Sequence, residues 1–316
     1  MDYPTDIATE GLEISAIKLS TNPPFTWASG YNMPIYNDNR MFLANPNHRM
    51  MIARGFREMI GSEKIPYDMI AGTSTAGIAP AASLASLLHT PLIIFENNTP
   101  YFFDINSFDD VQGDFDAIAS TCPWGIPTGI ALANHKNLPF MYVRQSQKEH
   151  GLKQQIEGIP IEGQQVLLVD YHRGNSYEAN AIRALDEKGV TVKKTLTLDV
   201  SNQEPFDIRG RKIPIIEDLI STGGSSASEV QTSRNNGAIS DYCLSIFTYG
   251  LDKALEAFAT LDPKCQVRSL LTYDKLLEVA KETEHIDTNQ ETMLTDWRAD
   301  PFKWGEKHGF PRVEKK

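Results

Sequence analysis

The residues with the clearest chemical purpose form one string: Ile213-Pro214-Ile215-Ile216-Glu217-Asp218-Leu219-Ile220-Ser221-Thr222-Gly223-Gly224-Ser225. An apolar strand ends in two acids and turns through hydroxyls and glycines into a helix. Gly223 and Gly224 let backbone approach a phosphate, Ser221, Thr222 and Ser225 offer hydroxyl donors, and the free N–H groups of the next helix favour an anion. Adjacent carboxylates cannot hold a phosphate. Beside a ribose, however, Glu217 and Asp218 can accept from the 2′ and 3′ hydroxyls and stabilise positive charge developing at C1′. An ordinary acidic helix cap explains any one of these residues but not the whole string. Pro214 cannot donate to a ladder, so the strand is expected to begin after it.

Such a string needs a scaffold, and the chain supplies a recurring one. Apolar β-rich runs lead into small-residue helical segments at Asp68 to Ala71 then Gly77 to Leu88, Val166 to Val169 then Tyr177 to Leu185, and Ile213 to Ile216 then Ser225 to Arg234. That alternation predicts βα units in an α/β fold with a mostly parallel, doubly wound sheet.

Two of the units are repeated. A slide of 48 positions sets Tyr67-Asp68-Met69-Ile70-Ala71 on Phe115-Asp116-Ala117-Ile118-Ala119, and Gly77-Ile78 on Gly125-Ile126. A slide of 47 sets Gly163 on Gly210, Val166 on Ile213, Val169 on Ile216 and Asp170 on Glu217. The chain reads as four βα units, two of each type, in the order working, duplicate, duplicate, working. The duplicate of the diacid strand, Val169-Asp170-Tyr171-His172-Arg173-Gly174-Asn175-Ser176, has one acid and no Gly-Gly pair and is expected to be structural, and Cys122-Pro123-Trp124-Gly125 does not look able to cradle a phosphate group as Thr73 to Gly77 would.

Composition narrows the class. With 316 residues and 41% apolar content the chain can bury a sizeable core. Its net charge of −11 argues against a nucleic-acid or anionic-membrane surface, while small anions need only a few local donors. The longest apolar stretch, near Ile78 to Leu88, is broken by Pro80, Ser83 and Ser86 and is too short to span a bilayer. The start at Met1-Asp2-Tyr3-Pro4 has no signal-peptide pattern, and Cys122, Cys243 and Cys265 are scattered, so a reducing cytoplasm is expected. His89, His135, His285 and His308 lack metal-ligand spacing, and no protein metal site is expected. His172 beside Arg173 is read as a packed or surface histidine.

The Glu217 to Ser225 string resembles the motif that binds phosphoribosyl pyrophosphate (PRPP) in type I phosphoribosyltransferases, and its wording is most similar to orotate phosphoribosyltransferases. Phe25-Thr26-Trp27-Ala28-Ser29-Gly30 with Pro34-Ile35-Tyr36-Asn37-Asp38-Asn39-Arg40 resembles that family's base-binding hood, and Ala71 to Ile78 its pyrophosphate loop. Tyr142-Val143-Arg144, Lys148-Glu149-His150-Gly151 and Gln155-Ile156-Glu157-Gly158 resemble its mobile catalytic loop. The stretch from Gln145 to Gln155 is polar and without period, as a lid would be. Trp297-Arg298-Ala299-Asp300-Pro301 is similar as well, whereas blocks near Phe95 to Asp114 and Val166 to Asp207 fall outside the likeness.

The resemblance implies a type I phosphoribosyltransferase-like fold with a hood over 1–66, a core with duplicated βα units over 67–257 and a C-terminal segment over 258–316. It implies PRPP held by Thr73, Ser74, Thr75, Ala76 and Gly77 and by Glu217, Asp218, Leu219, Ile220, Ser221, Thr222, Gly223, Gly224 and Ser225. The base would meet Ser29, Gly30, Tyr36 and Ser221, and catalysis would fall to Lys148, His150, Arg144 and Asp218. Orotate would become orotidine 5′-phosphate, Mg²⁺ would arrive with PRPP, and a homodimer would form in which the lid serves the neighbouring subunit. Asn32-Met33 replaces the family's Lys-Ser pair, which leaves another base as an alternative; a separate one is a PRPP-sensing regulator without catalysis, which would keep Glu217 to Ser225 but have no use for Lys148 and His150. If the inner units from about Phe115 to Asp207 pack as a partial second core, they would instead present Lys148 and His150 to the outer site within one chain.

Overall fold

The computed structural model describes residues 1–27, 29–105, 111–146, 155–172, 177–200 and 203–313. The chain opens with α1 (Tyr3–Glu13), short strands β1 (Ile17–Leu19), β2 (Phe25–Thr26), β3 (Asn32–Met33) and β4 (Ile35–Asn37), a 3-10 turn (Asn39–Ala44) and α2 (Pro46–Ser62). Capping explains the helix starts. Asp2 accepts from the Thr5 N–H, Asn45 accepts from the Asn47 N–H, and each helix carries proline in its first turn.

Next come β5 (Ile70–Gly72), α3 (Ile78–Leu88), β6 (Leu92–Glu96) and β7 (Thr99–Phe103). An inner set follows: β8 (Ala117–Thr121), α4 (Ile126–His135), β9 (Phe140–Val143), β10 (Ile156–Glu157), β11 (Gln165–His172), α5 (Glu178–Asp186) and β12 (Thr191–Asp199). The chain then returns with β13 (Ile215–Ile220), α6 (Gly224–Asn235), β14 (Tyr242–Thr248), α7 (Asp252–Ala259) and β15 (Gln266–Thr272), and ends in α8 (Tyr273–Glu282), α9 (Thr288–Ala299) and α10 (Pro301–Lys307).

Two sheets result. The outer runs β15-β14-β13-β5-β6-β7 and the inner β10-β9-β8-β11-β12. Only β7 and β10 are antiparallel in them. The inner sheet is inserted between β7 and β13 and repeats the strand order of the outer one.

The repeat holds to individual contacts. The Asp68 carboxylate accepts from the Lys212 N–H at 2.7 Å, and Asp116, 48 positions on, accepts from Gln165, 47 positions before Lys212, also at 2.7 Å. A Cβ on Gly77 would strike Thr73 and the Ile216 carbonyl, and one on Gly125 would strike Thr121 and the Val169 carbonyl. Both loops therefore require glycine at the same point, where loop and neighbouring strand nearly touch.

Strand residues alternate between faces with period two. Ile70, Ile216, Ile118, Leu167 and Val169 point into one core shared by both sheets, α3, α4 and the hood. Ala71, Ile93, Ile213 and Ile215 pack under α6 and α7 on the far side of the outer sheet. Ala117, Val166 and Leu168 pack under α5 on the far side of the inner one. The sheets thus stand face to face across α3 and α4, and Asn134 on α4 donates to Ser83 on α3 at 3.2 Å. β13 begins after Pro214 but, contrary to the reading of a strand ending in two acids, continues through them to Ile220, paired with β14.

Candidate active site

The loop from Thr73 to Gly77 and the diacid strand meet through one carboxylate. Glu217 Oε1 accepts from Thr73 Oγ1 at 2.7 Å and from the Asp218 N–H at 2.9 Å, while Oε2 accepts from Ser226 Oγ at 2.8 Å. Glu217 is 5% exposed. It braces the loop before α3 against the first turn of α6. Neither helix has a side-chain cap, so both N-termini offer free backbone N–H groups beside that brace.

Asp218 faces the other side of the strand and is half-buried. Its carboxyl is held well above the ordinary range, first by burial and then by the like charge of Glu217, with Arg40 opposing. Gly223 caps α6 at φ +75°, a conformation in which a side chain would be strained and would press on Ala254. Thr222, Gly224 and Ser225 lie exposed at the helix start, and Ser221 is half-buried behind them.

The hood closes on this strand through its 3-10 turn. Asn39 Nδ2 donates to the Asp218 carbonyl at 2.6 Å. Tyr36 is half-buried near Asp38, and burial pushes its hydroxyl upward. Trp27 donates its indole N–H to the Ile35 carbonyl and packs 5.5 Å from Tyr249, which meets Trp297 edge-on in turn.

A chain of charges runs from the hood to the inner sheet. Arg40 binds Asp38 and also Glu157, each at 2.5 Å, and Glu157 binds Arg144 at 2.7 Å. Burial pulls both guanidiniums down, and the neighbouring acids more than offset it. Cys122 of the inner loop reaches the side chain of Thr75 in the outer one, and burial pushes its thiol up to about 11.

The expected residues are therefore only partly gathered. Thr73 to Gly77, Glu217 to Ser225, Tyr36 and Arg144 surround one region. Ser29 and Gly30 instead hold the C-terminal segment: the Ser29 carbonyl accepts from Arg312 and the Gly30 carbonyl from the Val313 N–H. Asn32 and Met33 are likewise committed, Asn32 Nδ2 to the Pro311 carbonyl and the Met33 sulfur to the Trp297 indole. Lys148 and His150 lie outside the described residues. Sequence reasoning assigned no role to Asn39, Arg40 or Glu157, although all three stand in the strings that carry the resemblance. Tyr249 had no signal at all.

The inner copy is built differently. Thr121 Oγ1 donates to Asp170 at 2.8 Å, as Thr73 does to Glu217. Pro123 then removes an N–H, and Trp124 fills the loop, packed 4.8 Å from Tyr101 and donating its indole N–H to Glu96 at 2.8 Å. α5 carries Glu178 in its first turn, which opposes an anion there. A cavity of about 480 Å³ remains, walled by Glu96, Tyr101, Trp124, Tyr171 and Tyr177.

No cluster of three or more metal-ligating side chains occurs among the described residues. No helix among them is long and apolar enough to cross a membrane.

A parallel α/β sheet with a glycine-gated loop, a diacid strand running into an open helix and a small hood defines a type I phosphoribosyltransferase fold. A solved structure of Leishmania donovani UMP synthase agrees in fold, with a TM-score of 0.52 at 14% identity over 93% of this chain; the chain spans 42% of that longer protein. No protein-family profile matches. Orotate phosphoribosyltransferase of Listeria innocua is 30% identical over 305 residues, covering 96% of this chain and all of that one. The enzyme of the same name from Lactococcus lactis subsp. lactis is 30% identical over 298 residues, covering 94% and 96%. The chain belongs to the orotate phosphoribosyltransferase family.

Proposed function

We propose that this chain transfers the 5-phosphoribosyl group of PRPP to orotate in the cytoplasm, giving orotidine 5′-phosphate and pyrophosphate. One observation carries the reading. The loop that leads into the uncapped α3 and the first turn of the uncapped α6 are tied to the same carboxylate, Glu217, and Asp218 is the next residue on that strand. A ligand with phosphate at each end of a ribose suits that spacing: pyrophosphate at Thr73 to Gly77, 5′-phosphate at Ser221 to Ser225.

Because both Glu217 oxygens are engaged, Asp218 is the acid left for the ribose hydroxyls and for charge at C1′. In the reaction the C1′–oxygen bond to pyrophosphate breaks, a bond from C1′ to the ring nitrogen of orotate forms, and that nitrogen's proton is lost to solvent. Arg144, with Lys148 and His150, neutralises the departing pyrophosphate and excludes the water that would hydrolyse PRPP. Tyr36 and the hood confine the base.

The donor set fits Mg²⁺ brought by the substrate, since the cleft offers one uncommitted carboxylate rather than a cage. When bound, the ion would draw charge from the pyrophosphate oxygens. Association into a homodimer is compatible with this scheme and not required by it.

The test is to incubate the protein with PRPP, Mg²⁺ and, in turn, orotate, uracil and a purine, measuring pyrophosphate and nucleotide. Release with orotate alone is expected. Release only with another base would reassign the substrate, and PRPP binding without release would make the chain a sensor.

A further inference from the structure

The β6-β7 hairpin and the β9-β10 hairpin are each built against the opposite copy. In the outer sheet β6 and β7 are joined by Asn97 and Asn98 alone, both at positive φ, a tight reversal. In the inner sheet the equivalent strands β9 and β10 are joined by the far longer stretch 144–155. The outer hairpin leans on the inner loop: Glu96 accepts a hydrogen bond from the Trp124 indole N–H, and Tyr101 and Phe103 pack on that ring. The inner hairpin leans on the outer site, where Glu157 joins Arg40 of the hood to Arg144. Sliding by 48 sets Glu96 on Arg144, so an acid that accepts from Trp124 of the inner loop has as its counterpart a cation tied through Glu157 to Arg40 of the hood.

The interface around this exchange is made for permanence. Arg49 of α2 is 3% exposed and donates to Asn134 Oδ1 at 3.0 Å and to the Leu138 carbonyl at 2.7 Å, both in the inner copy. One continuous apolar core underlies both sheets.

We infer that a single chain is a complete catalytic unit: the inner copy is a built-in partner that supplies Arg144 to the outer site, and each chain has one working site. Glu157, 2% exposed between two guanidiniums, is the positioning residue that fixes Arg144 against the hood. The reciprocal arm is closed off, because Pro123, Trp124, Glu96 and Glu178 leave the inner loop unfit for an anion. The inference rests on the phosphoribosyl-transfer reading above.

Arg144→Ala and Asp218→Asn chains are co-expressed, so that any exchangeable assembly forms mixed, and pyrophosphate release is measured with PRPP and orotate beside wild type. Activity no greater than the two variants show separately is expected. Recovery toward about a quarter of wild-type activity, the share of intact sites in random mixed dimers, would overturn the inference. Arg144→Gln repeats the test should the alanine variant unfold. Titration calorimetry with PRPP and Mg²⁺ should give one equivalent per wild-type chain, and two would overturn the single-site claim. Glu157→Gln should lower kcat at least tenfold with little change in PRPP affinity, and Glu157→Asp should restore part of it; a loss confined to thermal stability would leave Glu157 without the positioning role. Should wild type release no pyrophosphate with any base, the transfer reading itself fails, which is a separate result from recovery in the mixture.

Discussion

The outer and inner loops begin identically and part after one residue. Thr73 and Thr121 each donate a hydrogen bond to the first acid of the neighbouring strand, at 2.7 and 2.8 Å. Both glycines that follow are required by the same close approach. What then separates a phosphate cradle from a packed loop is the pair Thr75-Ala76 against Pro123-Trp124, and one further acid on the strand, Asp218 against Tyr171. Duplication copied the scaffold, whose contacts are steric and unforgiving. It did not preserve groups that serve only a ligand.

The sharpest way to break this comparison is to neutralise the acids in turn. Asp218→Asn is expected to reduce kcat/KM by about 10³-fold, as loss of a group opposing charge at the reacting carbon does. Asp170→Asn should leave kcat unchanged and lower stability by about 1 kcal/mol, because its hydrogen bond with Thr121 is weakened rather than lost. Steady-state kinetics and thermal denaturation of both proteins decide, and matching kinetic losses would make the inner copy a working site.

Next in size is the inner hairpin's cation set. Lys148→Ala is expected to cost about 3 kcal/mol of transition-state stabilisation, roughly a hundredfold in kcat, with the fold and most PRPP affinity retained. An unchanged rate would remove Lys148 from the chemistry.

A smaller effect tests the helix starts. Gly223→Ala forces a side chain into φ +75° against Ala254, which is expected to destabilise by about 1–2 kcal/mol and to raise KM for PRPP by displacing the loop proposed to hold the 5′-phosphate. A shifted Tm with an unaltered KM would detach the α6 start from the substrate.

Much of this was legible in the residues because repetition and glycine spacing record backbone constraints directly. The slides of 48 and 47 located both loops and the four βα units, and Pro214 marked the start of β13. The face-to-face packing of the two sheets was not legible, since it depends on which helix faces which. Ile78, Ile118 and Ile216 carry no mark that they share one core. The role of Glu217 was hidden for a similar reason: a diacid beside a ribose reads as two equal ligands, and only the positions of Thr73 and Ser226 show that one of them is spoken for. Arg40 and Glu157 meet from opposite copies, across 117 positions of sequence, so no local pattern could pair them. Asn32 and Met33 departed from the family's pair, and their commitment to Pro311 and Trp297 shows that the departure serves packing of the C-terminal segment.

A difference confined to stability lies on the helices that follow the diacid strand and its inner counterpart. Glu229 on α6 sits where the slide of 47 puts Ile182 on α5. Burial holds the Glu229 carboxyl up at about 7, and its Oε1 has no hydrogen-bond partner among the described residues. The folded protein therefore keeps a proton that the unfolded chain gives up near pH 4.5, so stability falls as pH rises between those values and levels off above 7. After discounting for its partial exposure, the loss is about 2 kcal/mol. Glu229→Gln should match wild type at pH 5 and melt a few degrees higher at pH 8. Ile182 is 39% exposed, so Ile182→Glu should titrate as an open carboxylate and leave the pH dependence of Tm as in wild type. Thermal denaturation across pH 4.5 to 8.5 measures both, and a flat difference between Glu229→Gln and wild type would show that α6 carries no buried acid beside the working loop.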